Sequence, residues 1–174
     1  MLITERMNLF VGVDDPSLAN SKHLTLQEVK LPALEETFQE HNPGGGVSAI
    51  EIAVGMEKLE CSFKLVGHDP NIFKYCGLAR NGDTLFTFRS HLVDKITGDD
   101  MAMRATVKGR LAKIDPDTYK AGDLQTHDYE IKGILQYALY YGTKEAVFLD
   151  WASNTWRADG VDQYARRNAA LGIG

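Results

Sequence analysis

The sequence predicts a mainly β, single-domain protein of antiparallel strands with two short helices. Three observations carry that prediction. Apolar and polar residues alternate along three long segments, the spacing that puts every second side chain on one face of a strand. Turns of hairpin length separate long segments, as at Thr97-Gly98-Asp99-Asp100 and Tyr141-Gly142-Thr143. The chain of 174 residues is 44% hydrophobic and 25% charged, which supports a packed core and excludes extensive disorder.

The first irregular stretch is Glu35–Met56, with His41-Asn42-Pro43-Gly44-Gly45-Gly46 followed by Val47-Ser48-Ala49-Ile50. Three adjacent glycines lose much conformational freedom on ordering, so residues 40–56 are expected to form a projecting loop, mobile or held by a neighbour. From Leu59 to Leu65 the apolar set is Leu59, Cys61, Phe63 and Leu65. Asp69-Pro70 places an N-cap before a proline at the first helical position, and Gly77 supplies the stop. Leu85–Ile96 and Met101–Ile114 form a predicted hairpin, the second strand burying Met101, Met103, Ala105, Val107, Gly109 and Leu111. Asp115-Pro116 ends it, because proline has no N–H for the ladder. Tyr129–Tyr140 alternates again, burying Tyr129, Ile131, Leu135, Tyr137 and Leu139, and pairs with Ala146–Trp151. A C-terminal helix is expected over 160–172, where Val161, Tyr164, Ala165 and Leu171 recur at helical spacing, with Asp162 early and Arg166-Arg167 late.

Nineteen basic against 24 acidic residues give a net charge of −5, which argues against a generally basic nucleic-acid binder. Two cysteines, Cys61 and Cys76, make no disulfide framework and fit a reducing compartment. Met1–Val13 lacks the pattern of a targeting segment, and no run of 18 apolar residues predicts a membrane span.

The search for chemistry is negative. His23, His41, His68, His91 and His127 are scattered without metal-ligand spacing and read as surface or hydrogen-bonded side chains. Cys61 is in phase with Leu59 and Phe63, the pattern of a small buried hydrophobe rather than a nucleophile, and Cys76 takes no role. Gly44-Gly45-Gly46 lacks the Gly-Lys-Ser/Thr of a phosphate loop. Asp14-Asp15 and Asp99-Asp100 fall at expected turns, and Trp151 and Trp156 read as capping the core. No catalytic residue, cofactor or metal is expected. Long strands leave edges to cover, and pairing between copies would cover them.

Several segments resemble, in order, the major tail tube proteins of contractile-tailed phages and phage-tail-like bacteriocins. They are Asn8–Val11, Leu24–Leu26, Lys30–Glu35, the glycine loop, Ala49–Ile52, Gly55–Leu59 and Phe63. Arg104–Arg110, Lys113–Pro116, Lys120–Asp123, Asp159–Gln163, Arg166–Asn168 and Leu171-Gly172 complete the set, so the resemblance runs from Asn8 to Ile173. It implies a β-sandwich or barrel-like subunit of one domain, 1–174, that closes into hexameric rings. Rings stack into a hollow tube inside a contractile sheath, with a tape-measure protein in the lumen and baseplate and terminator proteins at the ends. DNA would transit the lumen without specific binding, helped by modest acidic charge. The particle would be assembled in the bacterial host cytoplasm, without stable membrane association. By the same resemblance, Asn42, Pro43, Gly44, Gly45, Gly46, Val47 and Ser48 would contact a neighbouring ring, and Asp159 and Asp162 the sheath. The alternatives are a barrel-type small-molecule-binding protein or enzyme, and a monomeric adaptor.

Overall fold

Cross-strand pairing organises the chain around two long strands, β7 (Asp100–Pro116) and β8 (Thr126–Tyr141). The computed structural model describes residues 1–12, 17–79 and 82–173; Asp14 and Asp15 lie outside them. The other strands are β1 (Leu2–Val11), β2 (Leu26–Lys30), β3 (Glu36–His41), β4 (Ile50–Met56), β5 (Cys61–Val66) and β6 (Thr84–Asp94). Towards the C-terminus come β9 (Lys144–Asp150), β10 (Thr155–Ala158) and β11 (Val161–Asp162), then the helix α1 (Ala165–Leu171). All ladders are antiparallel. Strands β1-β6-β7-β8-β9-β10-β11 run side by side, and β2-β5 joins them through β8.

Strand β8 divides its free edge between two partners. Thr126–Ile131 pairs with β5, and Gln136–Tyr141 pairs with β9. Between them the register against β7 slips, since Lys108 faces Gln136 but Arg110 faces Lys132. Gly133 takes φ +59° there, a left-handed conformation that suits glycine, and the strand bends. Opposite the bend, Gly109 is tightly enclosed: a Cβ would lie 3.1 Å from Ile131 and 3.2 Å from Ile134. A second slip, between Leu111 and Lys113, explains why burial passes from Leu111 to Ile114 and breaks strict alternation.

The expected faces are otherwise as the period-two pattern requires, except that past the bend Ile134 rather than Leu135 packs against the core, and Met101 and Met103 are half-buried at its margin. Cys61, Phe63 and Leu65 of β5, Ala105, Val107 and Leu111 of β7, and Tyr129, Ile131 and Tyr137 of β8 are buried in one core with Phe86, Phe88, Leu9 and Ile72. Phe63 stacks on Tyr129 with ring centroids 4.9 Å apart and approaches Phe86 and Phe88 at 6.1 and 6.3 Å. Ile72 is delivered by a 3-10 helix, Pro70–Tyr75, capped by Asp69, whose carboxylate accepts from the Asn71 amide at 3.1 Å. No helix among the described residues is long and apolar enough to cross a membrane.

Three expectations are corrected. Residues 40–56 are no irregular loop: β3 and β4 pair from Glu36/Met56 to His41/Ile50 and leave only a short tip. The helix expected over 160–172 begins at Ala165, because Val161–Asp162 extends the sheet against β10 through a turn in which Asp159 and Gly160 both have positive φ. Trp151 is 74% exposed and caps no core, since it lies in the turn after β9 where the pattern passes from strand to loop.

Candidate assembly interface

Among the described residues, strands β3 and β4 pair only with each other and stand apart from the main sheet. Met56, at the base of β4, packs against the core, but the large apolar side chains further out find little cover within the subunit. Phe38, Ile50, Ile52 and Val54 are all exposed, as is Val47 at the tip. Ile50, Ile52 and Val54 alternate along one face of the ribbon and Phe38 lies on the other, and exposed apolar side chains so grouped are of the kind a contact surface presents. The tip is a turn in which the Gly46 amide donates to the Pro43 carbonyl at 3.1 Å. A Cβ on Gly44 or Gly45 would meet nothing within 4 Å, so the fold of the single subunit does not demand glycine there. Asn42 through Ser48 thus fall together at one extremity, all exposed.

Electrostatics single out the same element. Residues 35–57 contain Glu35, Glu36, Glu40, Glu51 and Glu57 but no lysine or arginine, so the remaining chain balances 19 acidic against 19 basic residues. Glu40 and Glu51 are direct cross-strand partners.

Asp159 and Asp162 lie elsewhere, around the β10–β11 turn, far in sequence from the hairpin tip and sharing no element with it. Each already has a local partner. The Asp159 carboxylate pairs with Lys144 at 2.7 Å, and Asp162 accepts from the Tyr164 amide at 2.8 Å just before α1. The sequence does not disclose the latch that holds α1: Asn154 donates to the Asn168 side chain at 2.7 Å, and Asn168 donates back to the Asn154 carbonyl at 3.0 Å. Asn154 does so with φ 48°, a backbone state asparagine tolerates.

A polar network on the face of the sheet away from the core was also illegible in the sequence. Arg157 grips Glu145 through two bonds of 2.9 Å, and Tyr140 reaches the same carboxylate at 3.3 Å. The Arg157 hydrogen bonds hold the Glu145 carboxyl below its ordinary value, against a smaller opposing effect of burial. Arg104 lies over the Tyr140 ring at 4.7 Å, and Arg157 over Phe148 at 4.0 Å.

The histidines do not assemble a metal centre among the described residues. His91 bonds Asp100 at 3.0 Å, and the His23 ring meets Ser21 at 2.7 Å. His127 is 4% exposed with no partner for Nε2; it lines a cavity of about 210 Å³ with His68 and Tyr119. Burial pushes the Cys61 thiol up to about 12, which removes it as a nucleophile at neutral pH. Neither cysteine is in a disulfide.

The family model described as phage tail tube protein FII matches residues 18–172. The chain is 27% identical over 179 aligned residues to the major tail tube protein of Serratia phage KSP20, covering 100% of this chain and 99% of that one. Its fold is similar to a chain of the extended-state PVC sheath–tube complex, an extracellular contractile injection system, with a TM-score of 0.54 at 10% identity, covering 78% of this chain and 88% of that one. It is also similar to a chain of the anti-feeding prophage baseplate, with a TM-score of 0.51 at 12% identity, covering 79% and 94%.

Proposed function

The chain belongs to the phage tail tube protein FII family, and on that premise we propose that it is a wall subunit of the inner tube of a contractile phage tail or related injection particle. Copies close into six-fold rings, and rings stack into a hollow conduit for genome delivery or envelope puncture. The observation that carries this reading is the β3–β4 hairpin, which joins no other strand among the described residues and leaves Phe38, Ile50, Ile52 and Val54 exposed. Residues 1–174 act as one tube domain, with 40–56 the part that reaches a neighbouring ring through Asn42–Ser48. The glycines at 44 and 45, unneeded by the subunit itself, allow close backbone approach by another copy.

Around the tube the partners are a sheath, a baseplate and a terminator, with a tape-measure protein in the lumen during assembly in the bacterial host cytoplasm. The structural relatives, chains of a sheath–tube complex and of a baseplate, support the first two. DNA passes without specific binding, for which the net charge of −5 is suitable. The sheath contact includes the surface around Asp159 and Asp162, both already engaged locally.

Deleting Asn42–Ser48 tests the reading. The core strands lie outside the deletion, so the subunit should keep its far-ultraviolet circular dichroism. Negative-stain microscopy should then show monomers or single rings. Tubes of normal length from the deleted protein would overturn the bridging role.

A further inference from the structure

We propose that Glu40 and Glu51 of one copy bind Arg89 and Arg104 of a second copy, so that two like-charge pairs, each unfavourable alone, neutralise each other across the contact. The proposal rests on the reading that the hairpin bridges copies, and it names the surface that receives it.

Glu40 and Glu51 are directly opposed across β3–β4, both exposed. Like charges in that position repel and destabilise the pairing. None of the five hairpin glutamates forms an ion pair among the described residues. The side-chain partner Glu40 has is the neutral Asn42 amide at 3.2 Å. The arrangement is one that a pair of cations would relieve.

The main sheet carries the mirror image. Arg89 and Arg104 are directly opposed across β6–β7, on the face away from the core, because their neighbours Phe88 and Ala105 are the buried residues. Both arginines are exposed, and neither forms an ion pair among the described residues. The acids at the edges of this face are committed, Glu145 to Arg157 and Asp100 to His91. Arg104 is steadied over Tyr140 at 4.7 Å.

The two pairs share one geometry. Opposed side chains in antiparallel ladders stand about 5 Å apart at Cβ, so two carboxylates can meet two guanidiniums one to one. Phe38 shares the face of Glu40, since it opposes Ala53 two pairs along, and offers a ring to a guanidinium. Within one subunit the pairs do not meet, so the match requires another copy. Because a hairpin on one copy meets a different patch on the next, the contact is head-to-tail and propagates.

A charge swap tests this on the full chain. E40R/E51R and R89E/R104E should each raise the concentration needed for tube assembly by about tenfold or more, read by pelleting and negative-stain microscopy. The fourfold variant carrying both reversals should restore assembly to near the wild-type level. If the fourfold protein does not fold, E40Q/E51Q and R89Q/R104Q decide: combined, they should weaken assembly no more than either does alone. Normal assembly of either reversal, a folded swap that fails to rescue, or additive losses in the neutral set would overturn the pairing. Should tubes still depend on Asn42–Ser48 in that case, the bridging role stands; wild-type protein that assembles nowhere would remove the bridging role itself.

Discussion

Replacing Phe63 by alanine should separate folding from assembly when set beside the same change at Phe38. Phe63 is 2% exposed, stacked on Tyr129 and flanked by Phe86 and Phe88. Its strand is hydrogen-bonded on both sides, to β2 and β8, so the backbone cannot close over the space the ring vacates. Large-to-small changes at such sites cost about 3–5 kcal/mol, against a total stability on the order of 5–15 kcal/mol. For a chain of this length that corresponds to a fall in Tm of roughly 10 °C. Phe38 is 53% exposed on the hairpin, so Phe38→Ala should change stability by no more than about 0.5 kcal/mol. It should instead reduce assembly. Urea unfolding of dilute protein, followed by circular dichroism, reads the first quantity, and pelleting of concentrated protein reads the second. A loss below about 1 kcal/mol for Phe63→Ala, or equal losses at the two sites, would refute the assignment of one ring to the core and the other to a contact surface.

Other consequences are equally direct. Native protein should take up a thiol label at Cys76, which is half-buried, and resist it at Cys61; denatured protein should take up two, by intact mass, and a Cys61–Cys76 bridge would contradict the structure. Glu145 has a carboxyl held below its ordinary 4.5 by Arg157, so its contribution is present above that value and lost as pH falls through the lower folded one. The stability lost on acidification below that ordinary value should therefore shrink in Arg157→Gln, by about 1 kcal/mol or less because the pair is partly exposed and screened. Reversing Asp159 and Asp162 to lysine should weaken sheath attachment while bare tubes persist, by co-sedimentation. Loss of folding would instead assign both carboxylates to their bonds with Lys144 and the Tyr164 amide.

Residue order alone was enough to place the core face of β5 and most of that of β7 and β8, the turns at Gly98 and Gly142, the Asp69 cap before Pro70 and the burial of Cys61. Those features follow from local rules: a period of two, a turn composition, a cap. The assembled fold was needed to show that β8 changes partner at Gly133, that Glu36–His41 pairs with Ile50–Met56, that Trp151 faces outward, and that Arg157 and Asn168 find Glu145 and Asn154. The glycine run hid the hairpin, because most of the apolar residues on its strands are exposed, and burial is what makes alternation readable. Arg89 and Arg104 stand 15 residues apart and become a pair only when β6 and β7 align in one register. A strand's own residues choose its faces, but its partner is set by the free energy of the whole sheet, to which distant segments contribute.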